Sequence, residues 1–232
     1  MKTNQEVNLL FDAKAHSWNA KYEANGPLAY RVTAFSVLLE SHLGNGAAVL
    51  DFGGGTGAIA SALARRGFRM TVCDLSEQMI TMGRQIHSGQ AIEWSLLPEN
   101  WKRLPFADGV FDAVVASSVF EYLNDADSVL AECRRILRPA GKLIFSVPNP
   151  NHGSRRLERF LRPPAVLASK IPLVGALPKI GNYLRYLRVS SARFTAAQWQ
   201  QKASSAGFHA VEIEPGGPDL SSNKAMMYLL CD

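Results

Sequence analysis

Long apolar runs are absent from this sequence. The longest apolar stretches have about the length of a strand and are broken by charge, glycine or proline, whereas a helix needs roughly 20 apolar residues to cross a bilayer. Residues 1–18 carry acidic side chains and no apolar core ahead of a small-residue cleavage site, so they do not resemble a secretory signal. We therefore expect no membrane-spanning segment and a cytoplasmic protein.

Cysteine is scarce as well. The three cysteines, Cys73, Cys133 and Cys231, are widely spaced and lie in apolar runs, where cysteine usually serves as a small hydrophobic side chain. The five histidines share no metal-ligand spacing with one another or with the cysteines. We expect neither a disulfide nor a metal site.

Acidic residues are nearly missing from one segment. Between Asn151 and Arg193, nine lysines or arginines face the single acid Glu158, although the net charge of the whole chain is only +5. The basicity therefore belongs to this segment and not to the fold as a whole. Such a distribution weakens a general nucleic-acid-binding interpretation and indicates a local partner surface.

The chain of 232 residues, 47% of them apolar, is long enough for one sizeable core and short for two. Short apolar runs alternate with helical patterns, which is typical of a parallel sheet wound on both faces. We predict a doubly wound, seven-stranded, Rossmann-like α/β fold whose strands cover residues 47–52, 70–74, 91–96, 111–117, 143–147, 208–214 and 225–231. The last two should form an antiparallel pair joined by the turn at 215–218.

Helical signals complete this prediction. A helix should begin at Asn124-Asp125 and be stopped by Pro139-Ala140-Gly141, and another should cover 196–205. We divide the single domain into an N-terminal helical cover (1–45), a core (46–150), an inserted helical lid (151–193), and a C-terminal helix with a strand pair (194–232). The cover and the lid are candidates for enclosing a substrate.

The strongest motif is an apolar strand that runs into a glycine-rich turn and then a helix. Gly53, Gly55 and Gly57 let the backbone turn tightly and approach a ligand without Cβ atoms in the way. Asp74 ends the following strand, where such folds bind ribose hydroxyls. A nucleotide-like ligand is indicated, but the turn alone also fits a nicotinamide or flavin site.

Four ordered blocks narrow this choice: VLDFGGGTG at 49–57, VCDLSEQMI at 72–80, LPFADGVFDAVVASSVFEYL at 104–123 and ECRRILRPAGKLIFSVPNP at 132–150. Together they resemble the class I S-adenosylmethionine-dependent methyltransferases, in particular the small-molecule, type 11-like subgroup. FDAKAHSWNAKY at 11–22 adds a weaker match. The resemblance implies S-adenosylmethionine as cofactor.

The resemblance also implies a set of cofactor contacts. It assigns the methionine part of the cofactor to the three glycines and Ser117, the ribose to Asp74, the adenine to Met79 and Asn100, and the cofactor carboxylate to Tyr22 and Arg31. Asn100 stands where this subgroup commonly has an acid. The full set is Tyr22, Arg31, Asp51, Gly53, Gly55, Gly57, Asp74, Leu75, Met79, Asn100, Trp101 and Ser117.

Transfer from a sulfonium can be catalysed mostly by positioning the acceptor, and a base is needed only if the acceptor loses a proton. We predict Glu121 as the leading candidate, with Tyr122 and His16 as further catalytic candidates. The acceptor should be a small or lipid-like, amphiphilic molecule.

Three alternatives stay open. A nucleic-acid methyltransferase that acts on base amino groups usually has a proline pair after the fourth strand, where this chain has Ser117-Ser118-Val119-Phe120. A dehydrogenase would lack the later blocks. A protein that binds the cofactor without methylating would look the same at this site.

The basic lid has two interpretations. Its arginines and lysines alternate with leucines and other aliphatic residues, which suits peripheral contact with an anionic membrane surface. The other interpretation is a helical lid whose charges face water.

Overall fold

A computed structural model of the chain describes residues 3–150, 152–153, 157–158, 178–190, 192–208, 210–215 and 225–231. Within these residues seven strands form one sheet in the order β3-β2-β1-β4-β5-β7-β6, which confirms the predicted fold class. The strands are β1 (Ala48–Phe52), β2 (Arg69–Asp74), β3 (Ile92–Leu96), β4 (Phe111–Ser117), β5 (Leu137–Pro148), β6 (Ala210–Pro215) and β7 (Ala225–Cys231).

Helices flank this sheet and cover one of its edges. The α-helices are α1 (Asn4–Asp12), α2 (Ala15–Trp18), α3 (Ala29–His42), α4 (Ala58–Ala64), α5 (Glu77–Ile86), α6 (Ala126–Ile136), α7 (Pro178–Val189) and α8 (Ala196–Ser205), and short 3₁₀ helices occupy Asn19–Tyr22 and Phe120–Tyr122. Side-chain caps fix several starts: Asp125 accepts from Ser128 N–H at the start of α6, as predicted, and Thr195 caps α8.

Strands β1 to β5 run parallel, and β7 lies antiparallel between β5 and β6. A parallel sheet covered on both faces requires nearly continuous apolar strands, and in β4 only Asp112 and Ser117 are not buried. The antiparallel pairing of β6 with β7 confirms the predicted strand pair.

Two cores lie on opposite faces of the sheet because successive strand residues point to opposite sides. On one face Leu50 packs in a cluster with Leu130 of α6 and Trp199 of α8. On the other, Val49 shares a cluster with Leu63 of α4. Each fully buried side chain of this size contributes about 1.5–3 kcal/mol, so β1, which carries the glycine turn, is held firmly from both sides.

The predicted boundary between α6 and β5 was wrong. The helix ends at Ile136 and β5 begins at Leu137, not at Leu143, so Pro139-Ala140-Gly141 lies inside the strand. Leu137 pairs with Phe111, and the β4–β5 register then shifts. Ala140 has a φ of 62°, which identifies the irregularity that lets the strand continue through the turn-like sequence.

The described part of the predicted lid is α7 with a few residues on either side. The basic residues Arg155, Arg156, Arg159, Arg162 and Lys170, and the turn residues 216–218, lie outside the described residues. Within the part of the chain that is described, no helix combines the length and apolar character that crossing a bilayer requires.

Candidate active site

The glycine turn follows β1 at the carboxyl edge of the parallel strands. Gly53 and Gly57 have φ values of 65° and 73°, in the left-handed region that favours glycine. A side chain at Gly53 would place its Cβ 2.6 Å from a methyl group of Val119, and one at Gly57 would lie 2.6 Å from the Trp94 ring. The packing around the turn therefore requires glycine at both positions.

Asp74 joins the end of β2 to this turn. Its carboxylate accepts hydrogen bonds from the backbone N–H groups of Gly55, at 2.9 Å, and of Ser76, at 2.8 Å. Burial raises the pKa of Asp74, and these N–H donors oppose that rise. The carboxylate is thus fixed in direction while it borders the cavity described below.

Asp51 lies beneath the turn and is 1% exposed. Neither of its carboxylate oxygens has a hydrogen-bond partner among the described residues. Burial raises its pKa to about 7, the Ala60 N–H opposes this rise without reaching hydrogen-bonding geometry, and nearby Asp74 adds to it. Because buried polar groups are normally paired, these oxygens point to a cationic or hydrogen-bonding group supplied from outside the chain.

The end of β4 forms another side of the site. Ser118 has a φ of 57°, and its N–H donates to the Ser146 carbonyl at 3.0 Å. The Arg31 guanidinium donates to Ser117 Oγ at 3.0 Å and to Ser118 Oγ at 2.8 Å. Tyr22 lies in the same group, and its burial raises its pKa. Residues that are distant in sequence therefore converge where β4 ends.

Helix α1 covers these elements and encloses a cavity of about 90 Å³. This volume is well below the ~300–1,000 Å³ of most ligand pockets, so a nucleoside requires the cover to move. The cavity is lined by Asn4, Val7, Asn8, Phe11, Trp18, Phe52, Gly53, Gly55, Asp74, Leu75, Ser76, Leu97, Trp101, Ser117, Ser118, Val119, Tyr122 and Leu123.

Two further polar atoms in this lining lack partners. Asn8 Oδ1 and Trp101 Nε1 are both buried and make no hydrogen bond within the described part of the chain. One is an acceptor and the other a donor. The cavity can thus hold a ligand whose edge presents both kinds of group.

A larger open depression of about 850 Å³ lies at the opposite edge of the sheet, next to Ala48, Arg69, Ile92 and Phe111. None of the residues that line it is a predicted site residue. Ligands of open α/β sheets bind beyond the carboxyl ends of the strands, so the smaller cavity is the candidate site.

Comparison with known proteins agrees with this geometry. Residues 50–145 match the methyltransferase domain family. The ubiquinone/menaquinone biosynthesis C-methyltransferase of Desulfotalea psychrophila is 39% identical over 98 residues, which cover 41% of this chain and 39% of that protein. The malonyl-[acyl-carrier protein] O-methyltransferase of Geobacter sulfurreducens is 38% identical over 103 residues, 44% of this chain and 38% of that protein.

Residues 50–145 are therefore similar to a methyltransferase domain. The matched region spans about two fifths of the length of these curated relatives. The phosphoethanolamine N-methyltransferase 2 of Haemonchus contortus, solved in complex with S-adenosyl-L-methionine, shares the fold with a TM-score of 0.67 at 14% identity, covering 95% of this chain and 57% of that one. The resemblance predicted from sequence is confirmed.

Half of the predicted cofactor residues line one cavity. Gly53, Gly55, Asp74, Leu75, Trp101 and Ser117 line the cavity. Met79 lies behind the turn, with its sulfur 3.7 Å from the position of a Cβ on Gly55. Asn100 is exposed, whereas Asn8, which sequence reasoning missed, reaches the cavity from α1.

The predicted catalytic residues occupy different environments. Tyr122 lines the cavity and packs edge-to-face on Phe11, with ring centroids 5.1 Å apart. Glu121 is 3% exposed and accepts a hydrogen bond from Ser190 Oγ. His16 is exposed on α2. No cluster of three or more histidine, cysteine or acidic side chains suited to a metal occurs among the residues described.

Proposed function

We propose that this chain transfers a methyl group from S-adenosylmethionine to a small-molecule acceptor. The observation that carries the proposal is the set of unpaired buried polar atoms around the glycine turn, on Asp51, Asn8 and Trp101. Together with the fixed carboxylate of Asp74, they supply the acceptors and the donor that a nucleoside with a charged amino-acid tail requires.

The nucleoside part would lie at the ends of β2 and β3. Asp74 would accept from the ribose hydroxyls, since carboxylate acceptors make strong hydrogen bonds. The adenine would lie against Leu75 and Trp101, which packs edge-to-face on Phe52 with ring centroids 5.8 Å apart. Asn8 would accept from the adenine amino group.

The position of α1 supports this role for Asn8. Asn4 Nδ2 donates to the Glu99 carbonyl at 2.6 Å, just after β3, and Asp12 accepts from Ser76 Oγ, just after β2. Asn8 stands one helical turn from each, so its amide lies over the space between the ends of these two strands.

The methionine part would lie at the other end of the cavity. Its ammonium would meet the Ser117 carbonyl and the unpaired Asp51 carboxylate, and its carboxylate would meet Arg31, with Tyr22 beside it. The Arg31 guanidinium is already directed toward the end of β4 by two serine hydroxyls. Opposite charges would thus face each end of the zwitterion.

When bound, the cofactor supplies a methyl group that its sulfonium already activates. The protein then contributes by orienting the acceptor in line with the breaking bond and by excluding water. Phe11, Trp18 and Tyr122 provide an apolar wall for that purpose, since all three border the cavity.

Glu121 is our proposed base for an acceptor that loses a proton, with Tyr122 and His16 as further candidates. The Glu121 carboxylate would have to exchange its bond to Ser190 for the acceptor. Arg193 donates to the same Ser190 Oγ at 3.0 Å, so Ser190 can keep a partner during that exchange.

A small, amphiphilic acceptor fits the C- and O-methyltransferase names of the relatives. A nucleic-acid substrate or a non-methylating role is not favoured by these names. We also keep the proposal that the basic lid contacts anionic membrane surfaces. Pelleting with anionic but not neutral vesicles, reversed by high salt, is the expected result, and equal, negligible pelleting would leave a lid whose charges face water.

The test of the reaction is release of S-adenosylhomocysteine. The protein is incubated with methyl-labelled cofactor and fractionated cell extract, and label should move to one small-molecule fraction with stoichiometric release of S-adenosylhomocysteine. Binding of the cofactor without any transfer across all fractions would support the non-methylating alternative.

A further inference from the structure

Two lysines, which we call the cationic rim, lie beside aromatic rings that line the cavity. Lys14 Nζ lies 5.5 Å from the centroid of the Phe11 ring, and Lys21 Nζ lies 4.1 Å from that of Trp18. Phe11 and Trp18 contact each other edge-to-face at 5.4 Å. Two ammonium groups therefore flank the aromatic wall that borders the cavity.

Neither lysine has an ion-pair partner within 4 Å among the described residues, and both are half-buried. Burial, Lys21 and Arg185 together lower the pKa of Lys14 to about 8, and Glu121 opposes this effect. The Glu121 carboxylate is already bonded to Ser190. A half-buried ammonium beside two other cations is electrostatically unfavourable, and an arriving anion would relieve it.

The rim lies where an acceptor would approach the methyl donor. Trp18 Nε1 is 3.0 Å from the position that a Cβ on Gly55 would take, and Tyr122, which contacts Phe11, follows β4. The aromatic wall thus extends from the glycine turn to the end of β4, and the two ammonium groups lie beside its Phe11 and Trp18 rings.

We propose that Lys14 and Lys21 form an acceptor subsite that binds the anionic group of an aromatic or otherwise apolar acceptor. The subsite rests on the proposed function for its role in catalysis, although its binding of anions can be measured separately. A carboxylate and a phosphate share the required chemistry, namely oxygens with full negative charge next to an apolar body.

The experiment measures binding of benzoate, phenyl phosphate and the neutral benzamide by calorimetry, with and without S-adenosylhomocysteine. The wild-type protein should bind at least one anion about tenfold more tightly than benzamide. The stronger anion identifies carboxylate or phosphate as the preferred group. Equal binding of benzamide and both anions would overturn the proposal.

Substitution of Lys14 tests whether the cationic rim is responsible for anion binding. Lys14→Met, which keeps the apolar stem, should weaken anion binding about tenfold, and Lys14→Arg should preserve it within about threefold. Lys142→Met is the matched control, because Lys142 lies in the amino half of β5 and pairs with Ala113 and Cys231. Anion binding that is unchanged in Lys14→Met contradicts the subsite.

A measurement on the unmodified protein covers the case in which the variant folds poorly. Benzoate affinity should fall as the pH rises through about 8, since Lys14 loses its charge there. A flat profile between pH 7 and 9 would contradict the subsite. Failure to bind S-adenosylhomocysteine while anions still bind selectively would refute the proposed function and leave the subsite standing.

Discussion

The two halves of the site are held in different ways. The lower half, with the glycine turn and the ends of β1, β2 and β4, belongs to buried parallel strands that pack on both faces. The upper half, formed by α1 and α2, contacts α7 through a small cluster of Val7, Leu10 and Val189 and an ion pair between Glu6 and Arg188. The lower half therefore has the larger buried core, and the upper half is held by fewer contacts.

This difference follows from the energies involved. Each buried aliphatic side chain contributes about 1.5–3 kcal/mol. Two large clusters of them hold the lower half, whereas the contact of α1 with α7 has only Val7, Leu10 and Val189 and an ion pair that contributes about 0–1 kcal/mol. Changes in the lower half should thus alter chemistry or stability, and changes in the upper half should alter recognition and exchange of the cofactor.

The largest effect is expected where the two halves meet. Glu121→Gln should lower turnover roughly a hundredfold or more without changing cofactor affinity, if Glu121 takes a proton from the acceptor. Steady-state kinetics and calorimetry measure the two quantities, with the exposed Glu77→Gln as control. Unchanged turnover would make Glu121 a structural residue that anchors Ser190.

The lower half contains a buried carboxyl group, Asp51, whose ionisation should make stability depend on pH. The Asp51 pKa is raised to about 7 in the folded protein, so the folded state holds a proton that the unfolded state releases near pH 4. Stability should therefore fall between about pH 4 and 7, by ~1.4 kcal/mol per pH unit, relative to Asp51→Asn.

Urea unfolding of both proteins at pH 5, 6 and 7 measures this difference. The free energy of unfolding of Asp51→Asn should rise relative to that of the wild type as the pH rises. Parallel curves at all three values would mean that Asp51 is ionised throughout in the folded protein, which would contradict the rise of its pKa by burial.

The upper half should determine recognition of the base. S-inosylhomocysteine, in which an oxo group replaces the adenine amino group, should bind the wild type about tenfold less tightly than S-adenosylhomocysteine. Asn8→Ala should largely remove this discrimination, and the exposed Gln5→Ala on the same helix should keep it. Discrimination that survives in Asn8→Ala would assign the amino group to another residue.

The smallest effect is expected from the contact between α1 and α7. Reversing the charge of Glu6 or of Arg188 should speed dissociation of S-adenosylhomocysteine up to about fivefold, because the cover would open more readily. Stopped-flow measurements on both single variants and on the charge-swapped double variant test this idea. A double variant as fast as the singles would show that the ion pair does not hold the cover.

The same division explains what sequence reasoning could predict. The strands, the glycine turn and Asp74 depend on local patterns of apolar residues and on backbone geometry, so they were predicted in the right places. The start of β5 was missed, because the register shift after Phe111 depends on its pairing with Leu137.

Residues of the cover are harder to predict, since their roles depend on how α1 and α2 pack. Asn8 and Lys14 lie in a polar, helix-forming stretch, and sequence alone does not show which side faces the cavity. Phe11 and Trp18 belong to different helices, because α1 ends at Asp12 and α2 begins at Ala15, so helical spacing would not have brought them together with Lys14. Asn100 was assigned from the family resemblance, yet the structure leaves it exposed.

Calorimetric titration of S-adenosylhomocysteine into the wild-type protein and Asp74→Ala tests the central claim most directly. The account predicts saturable, one-site binding to the wild type and a loss of about tenfold to a hundredfold in the variant, because hydrogen bonds to a charged acceptor contribute about 1.5–3 kcal/mol. Absence of binding to the wild type, or equal affinity in a folded variant, would contradict the assignment of this edge of the sheet as the cofactor site.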